Sequence, residues 1–350
     1  MELDKFFKDS VVAITGSVGS VGTALVAELL KLPVREIVLI DNNESGLHEQ
    51  HLANLRDGRV SPRLMDITDQ DGLTRAFAGV DYVLHAAAFK HVPLCEHEPQ
   101  TAVRNNVIGT QSVINAALAS GVRKVLFTSS DKAVNPTNVM GITKLMGERL
   151  ITAANLTKSA AGTVFASTRF GNVLGSRGSV FPIFHKKIMQ GDNLPLTHKD
   201  MTRFMMTQQE AAYLVIRSLA LFKGGEIFVT KMPIFNIGDF AQMMIECFAE
   251  QAGRKKSDIK IDHIGLRPGE KLFEELTTGE EAVRTYEIDD FFVVVPGDGP
   301  HHNIFDYSDY EANGKKVDRV YDSSKEEVLS IEEGIELLKR ANLVQSQTRA

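Results

Sequence analysis

The stretch Ile14-Thr15-Gly16-Ser17-Val18-Gly19-Ser20-Val21-Gly22 decides the fold, because its three glycines recur at intervals of three. The β-branched run Val11–Thr15 before it reads as a strand, and Ser20–Lys31 after it reads as a helix. Glycine supplies a tight turn and lets a ligand approach the backbone. The free N–H groups of a helix N-terminus suit a pyrophosphate. A glycine pattern alone is weak, but a strand before it and a helix after it are the context a dinucleotide site requires. That context disfavours the alternative, glycines that merely end a strand. Thr15, Gly16, Ser17, Gly19, Ser20, Val21 and Gly22 are therefore expected to line a cofactor.

Further strands are expected at Glu36–Asp41, Arg63–Asp66, Asp81–His85 and Lys124–Thr128, with helices at Gly72–Phe77 and Thr101–Ser120. Apolar runs alternating with helical ones indicate a parallel sheet covered on both faces. Right-handed crossovers then give a Rossmann-type, doubly wound α/β fold. After Lys144 the pattern changes. A strand at Thr163–Thr168 leads into the Gly- and Arg-rich stretch Arg169–Gly178, after which helical and extended pieces mix. A turn-rich tail, Pro296–Gly314, precedes an amphipathic helix from about Ser330 to Arg340. The expected organisation is a dinucleotide-binding domain with the catalytic segment at 1–172. A smaller, substrate-binding region at 173–350 is partly interleaved with it.

Asp41 ends the second strand, 19 residues after Gly22, where a carboxylate can accept hydrogen bonds from ribose hydroxyls. It would repel the 2′-phosphate of NADP, and Asn42, Asn43 and Glu44 offer no basic clamp, so NAD is favoured over NADP. Arg35 and Arg63 lie elsewhere in the sequence but could approach. Asp66, followed by Ile67, is placed to meet the adenine edge. Ala86, Ala87 and Ala88 offer small residues after the fourth strand, suited either to a cofactor or to close helix–sheet packing.

With 350 residues the chain can bury one large core, or a large domain with a smaller one attached. Its 39 basic and 45 acidic residues are scattered, giving a net charge of −6, so a nucleic-acid partner is not expected. Two cysteines cannot build a disulfide framework and fit a reducing cytosol. The first ten residues carry no apolar core of a signal peptide, and no membrane span is visible, so a cytoplasmic protein is expected. His91, His97, His301 and His302, with Cys95-Glu96-His97-Glu98, do not make a closed tetrahedral set, and no metal is expected.

The most informative chemistry lies in Thr128-Ser129-Ser130-Asp131-Lys132-Ala133 and Asn138-Val139-Met140-Gly141-Ile142-Thr143-Lys144. A strand ending in hydroxyls delivers Ser130 to the carboxyl edge of the sheet, where ligands of such folds bind. Lys144 stands one helical turn after Met140, on the same side. Taken alone, adjacent Asp131 and Lys132 read as a surface ion pair.

These motifs resemble those of the extended short-chain dehydrogenase/reductases. They are closest to the bacterial polysaccharide-biosynthesis branch that contains the UDP-N-acetylglucosamine 4,6-dehydratases. The likeness runs from about Val11 to Tyr310. Besides the glycine loop it rests on His85–Pro93, Asp131–Asn138, Arg169-Phe170-Gly171-Asn172-Val173, Ser176–Val180, Met201–Phe204 and Arg267-Pro268-Gly269-Glu270-Lys271. The superfamily's Tyr-x-x-x-Lys is altered here, since Met140 stands where the proton-exchanging Tyr belongs.

The resemblance implies oxidation at carbon 4 of a nucleotide-sugar, loss of water across carbons 5 and 6, and return of the hydride to carbon 6. It assigns Lys132 to carbon 5, Asp131 to the 6-hydroxyl, Ser130 to the 4-oxygen and Lys144 to the nicotinamide ribose. Lys90 would face the sugar. Asn172, Arg177, Ser179 and Arg203, with Arg267 and Glu270, would hold the nucleotide and its diphosphate, although each arginine also reads as a structural ion pair. The alternatives are a nucleotide-sugar 4-epimerase and a non-catalytic NAD-binding regulator. Pairing of the helices beside the catalytic segment, common in the superfamily, implies a homo-oligomer.

Overall fold

The computed structural model describes residues 2–157, 162–297 and 304–344. The chain forms two compact units. The first comprises Met1–Phe170, Ala211–Lys231 and Leu276–Val320, and the second comprises Gly171–Glu210, Met232–Glu275 and Tyr321–Ala350.

In the first unit, six strands alternate with helices up to Arg169. They are β1 (Val11–Thr15), β2 (Glu36–Asp41), β3 (Val60–Leu64), β4 (Tyr82–His85), β5 (Lys124–Thr128) and β6 (Val164–Arg169). The helices are α1 (Leu3–Phe7), α2 (Ser20–Leu29), α3 (Glu44–Asn54), α4 (Gln70–Ala76), α5 (Val92–His97), α6 (Pro99–Val103), α7 (Gly109–Ser120) and α8 (Val139–Ala154). The strands pair in parallel in the order β3-β2-β1-β4-β5-β6. The order reverses at β1 and β4, which makes that edge the ligand-binding position of a doubly wound sheet. Ile227–Thr230 extends the sheet in parallel beyond β6. Phe291–Val294, Thr285–Ile288 and Lys315–Val317 then finish it in antiparallel fashion.

Every residue of β1 is buried, as expected of a strand covered on both faces. One core layer joins Val11, Ala13, Val83, Val125, Phe127 and Phe165 of the strands to Leu73, Val113, Ala117 and Ile151 of α4, α7 and α8. Burying each Val, Leu, Ile or Phe of this layer contributes about 1.5–3 kcal/mol before the entropy of ordering it is subtracted.

Three expectations need correction. The third strand is Val60–Leu64 rather than Arg63–Asp66, so Asp66 lies beyond its end. Pro62, which argues against a strand in sequence, is tolerated because β3 is the sheet edge. The helix expected at Thr101–Ser120 begins instead at Pro99 and is interrupted by a π-helical turn, Arg104–Ile108. The tail Pro296–Gly314 contains a helix, Ser308–Asn313. His301 and His302 lie outside the described residues.

The second unit holds a three-stranded sheet of Asn172–Val173, Thr202–Met206 and Ile234–Asn236, and a pair formed by Leu194–Leu196 and Ile261–His263. Its core is packed by Phe184 and Ile188 of helix Val180–Met189, Phe240 and Met244 of Ile237–Phe248, and Leu337 and Leu338 of Ile331–Arg340. Ser330 caps the last helix in a reciprocal box with Glu333, which fixes its start at about 1 kcal/mol. Among the described residues no helix is long and apolar enough to cross a membrane.

Candidate active site

The glycine turn leaves β1 through Gly16, whose φ of +71° disfavours a side chain, and a Cβ there would lie 2.7 Å from the backbone of Ala87. Gly19 occupies the N-cap of α2 and brings no side-chain acceptor to the first turn. The Ser17 hydroxyl beside it is buried and has no hydrogen-bond partner. A buried polar atom in that state, next to an uncapped helix start and the small residues Ala86–Ala88, fits a phosphate-bearing ligand. Asp41 closes β2 and accepts from the backbone N–H of Val18 at 3.0 Å and of Asn43 at 3.0 Å. Its carboxylate thus shapes the turn as well as standing at its rim. Asn42 donates to Asp66 at 3.1 Å. Ile67 is buried and packs where Gly109 leaves room for it.

From this turn a buried chain of hydrogen bonds runs to helix α8. Thr15 Oγ1 lies 2.6 Å from His85 Nδ1, and His85 Nε2 lies 3.0 Å from Thr110 Oγ1. The Thr110 hydroxyl donates to the Asn106 carbonyl at 2.7 Å, so it accepts from His85. His85 is therefore the neutral Nε2–H tautomer and accepts from Thr15. Burial, and secondarily the Lys144 charge, lowers its pKa to about 3. The π turn aims Asn106 inward. Its amide accepts from Phe89 N–H at 2.8 Å and donates to the Phe89 carbonyl at 3.0 Å and to Thr143 Oγ1 at 3.0 Å. Thr143 in turn donates to the Met140 carbonyl at 2.7 Å. The peptide next to Lys90, an exposed residue, is thereby tied to the first turn of α8.

Ser130, Asp131 and Lys132 come together at the end of β5. Asp131 is fully buried, and Lys132 Nζ stands 3.0 and 3.1 Å from its two oxygens. Oδ1 also accepts from the Ser130 hydroxyl and from Lys132 N–H. The next helix, α8, starts at Asn138, which caps Gly141 N–H at 2.8 Å, while Glu96 of α5 accepts from Val139 N–H at 2.6 Å. A Cβ at Gly141 would collide with the Lys132 carbonyl, so only glycine lets the pair sit this close to the helix.

Met140 is buried with Cys95 and Ala102 in a small apolar cluster. Lys144, also buried, donates to the Thr128 carbonyl at 2.9 Å and lies over the Phe127 ring at 4.6 Å. Burial pulls its pKa down to about 8, and the nearby Glu148 opposes that shift. One turn on, Glu148 binds Arg169, which also binds Glu281. Sequence reasoning did not single out Asn106, Thr143, Glu148 or Glu281. The spacing of Glu148, four residues after Lys144, was the available signal.

In the second unit Asn172 begins a strand, Arg177 is exposed, and Ser179 stands at the N-cap of Val180–Met189 with its hydroxyl buried and unpartnered. Arg267 is exposed, and its N–H donates to the Glu270 carboxylate at 3.2 Å. Arg203 is turned inward. It is only 6% exposed and donates to the carbonyls of Thr202 at 2.8 Å, Lys271 at 2.8 Å and Leu272 at 3.3 Å, with Glu274 at 3.7 Å. Its donors clasp the 271–274 segment rather than standing open to a phosphate. No group of three or more metal-binding side chains occurs among the described residues.

The parallel sheet, the glycine turn at its switch point and the Ser-Asp-Lys end of β5 define an extended short-chain dehydrogenase/reductase. More narrowly, the chain belongs to the polysaccharide biosynthesis protein family, whose profile matches residues 12–296. It is 46% identical over 325 residues to a protein of Methanocaldococcus jannaschii named an uncharacterized membrane protein, covering 91% of this chain and 97% of that one. It is 35% identical over 350 residues to the UDP-glucose 4-epimerase of Rickettsia canadensis, covering 98% and 99%. Among solved structures, Pen from Bacillus thuringiensis superposes with a TM-score of 0.87 at 38% identity, covering 96% of this chain and 98% of that one.

Proposed function

We propose that, within the nucleotide-sugar-modifying dehydrogenases of polysaccharide biosynthesis, this chain is a 4,6-dehydratase acting on UDP-N-acetylglucosamine or a close relative, with NAD. The observation that carries the reading is the ion pair between buried Asp131 and partly exposed Lys132 just after β5, while Met140, at the superfamily's Tyr position, can neither give nor take a proton. Elimination needs an acid and a base side by side, and the pair supplies both.

NAD, held by Thr15–Gly22, Asp41, Asn42, Asp66, Ile67, Ala86–Ala88 and Lys144, would supply reversible storage of the hydride taken from carbon 4 and returned to carbon 6. Ser130 orients the 4-oxygen. A ketone at carbon 4 acidifies the hydrogen on carbon 5. The pair shares one proton. Moved from Lys132 to Asp131, that proton leaves an amine to take the carbon-5 hydrogen and a carboxyl to protonate the departing 6-hydroxyl. Loss of water then restores the ion pair, Lys132 returns its proton to carbon 5, and the pair takes up one proton from water, replacing the one that the 4-hydroxyl released to water on oxidation. Lys90, Asn172, Arg177, Ser179, Arg267 and Glu270 hold the nucleotide-sugar, and Arg203 positions the segment after Glu270.

The rickettsial relative's name supports a second reading, a 4-epimerase that uses the same oxidation but inverts carbon 4. Incubation with UDP-N-acetylglucosamine and NAD, followed by NMR of the sugar, separates the readings. A 4-keto-6-deoxy sugar is expected. A galacto epimer supports the second reading, and unchanged sugar supports a binding protein.

A further inference from the structure

Lys144 is an ammonium group buried in the protein, and such a group keeps its charge only where an opposite charge faces it. The elements around α8 bring several titratable groups near. His85 on β4 is neutral, and Asp131 and Lys132 hold one another. On α5, Glu96 is spent on the N–H of Val139, and His97 is exposed. Lys124, on β5, donates to the carbonyls of Leu219, Ala220 and Phe222, and Arg104 of the π turn is exposed. What remains is Glu148, one turn beyond Lys144 on α8, and the group to which it is bound.

That group is Arg169, at the end of β6, with all five of its N–H donors engaged. Nε and Nη2 reach the two oxygens of Glu148 at 2.8 and 2.7 Å. Nη2 and Nη1 reach the two oxygens of Glu281 at 2.8 Å each, and Nη1 also donates to the Leu276 carbonyl at 3.1 Å. Arg169, Glu148 and Glu281 are all buried. Taken alone, one arginine between two carboxylates leaves a net charge of −1 in the interior, which is costly. Lys144, four residues before Glu148 on α8 and buried like it, is a cation whose charge Glu148 favours.

We propose that Lys144, Glu148, Arg169 and Glu281 form one charge-neutral buried network, in which Glu281 neutralises Arg169 so that Glu148 is free to act as counter-ion to Lys144. Glu148 and Glu281 are then positioning residues that keep Lys144 cationic. This rests on the role given to Lys144 in the proposed reaction.

The test reads Lys144 directly. Full-length protein is labelled with 13C,15N-lysine, the Lys144 signal is assigned by its loss in Lys144→Met, and its titration is followed by NMR. The wild-type midpoint is expected near 8. Glu148→Gln should lower it by about one unit or more, and Glu281→Gln by a smaller step in the same direction, because Arg169 then draws on Glu148 alone. If Glu148→Gln does not fold, Glu281→Gln decides. A midpoint that stays within about 0.3 unit of wild type in the folded variants overturns the network. Sugar turnover is measured separately, so a wrong substrate leaves the titration result standing, and a wrong network leaves the substrate reading intact.

Discussion

Lys132 Nζ lies 3.0 and 3.1 Å from the two carboxylate oxygens of Asp131, so each is the other's partner just after β5, and the proposed elimination draws on both. Met140, eight residues after Lys132, is sealed among Cys95, Ala102 and partly buried Val92 and Val139. Asp131→Asn and Lys132→Met should therefore each lower kcat by about 100- to 10,000-fold with NAD binding retained. Met140→Leu should keep most activity and cost less than about 1.5 kcal/mol in stability. Steady-state kinetics alongside NAD titration check this. Activity lost only in Met140→Leu would move the proton path elsewhere.

His85 makes stability depend on acid. Its pKa is about 3 in the folded chain and near 6.5 when unfolded, so the unfolded chain binds more protons between those values. Its full contribution is present above about pH 6.5 and is lost as pH falls toward 3, amounting to about 5 kcal/mol at most. Denaturant melts across that window should show the loss. His85→Gln, which takes up no proton there, should flatten the curve whatever its stability at neutral pH.

The fold was readable where residue pattern and physics agree. The β-branched runs of β1, β2 and β5 appear with the expected ends because strands buried on both faces must be apolar throughout. The reading failed where tertiary context decides. Pro62 hides an edge strand, and a π turn that aims Asn106 inward leaves no periodic mark in Arg104–Ile108. The pairing of Glu148 with Arg169 and Glu281 joins residues 21 and 112 positions from Arg169, a relation that one sequence does not display. For Arg203 the motif left a phosphate ligand and a structural ion pair both open, and only the structure shows its donors on backbone carbonyls.

That difference separates the arginines. Arg203→Ala should cost about 3 kcal/mol, since it strips hydrogen bonds from the carbonyls of Thr202, Lys271 and Leu272 and removes the positive charge 3.7 Å from buried Glu274. Arg267→Ala, on an exposed turn, should leave the melting temperature nearly unchanged while raising KM for the nucleotide-sugar. Thermal melts without ligand and initial-rate kinetics distinguish the two. Equal stability of both variants would return Arg203 to the substrate.

Asp41 should make NAD bind more tightly than NADP. Because its carboxylate also holds the N–H groups of Val18 and Asn43, Asp41→Ala should weaken NAD as it narrows the gap. Fluorescence titration with both cofactors tests this, and a wild type that prefers NADP would contradict it.

The most direct test of the proposed reaction uses UDP-N-acetylglucosamine deuterated at carbon 4. If the chain is a 4,6-dehydratase, mass spectrometry and NMR should find that deuterium on carbon 6 of a 4-keto-6-deoxy sugar, transferred within the active site. Deuterium still on carbon 4 of a galacto-configured product would contradict the account and identify an epimerase.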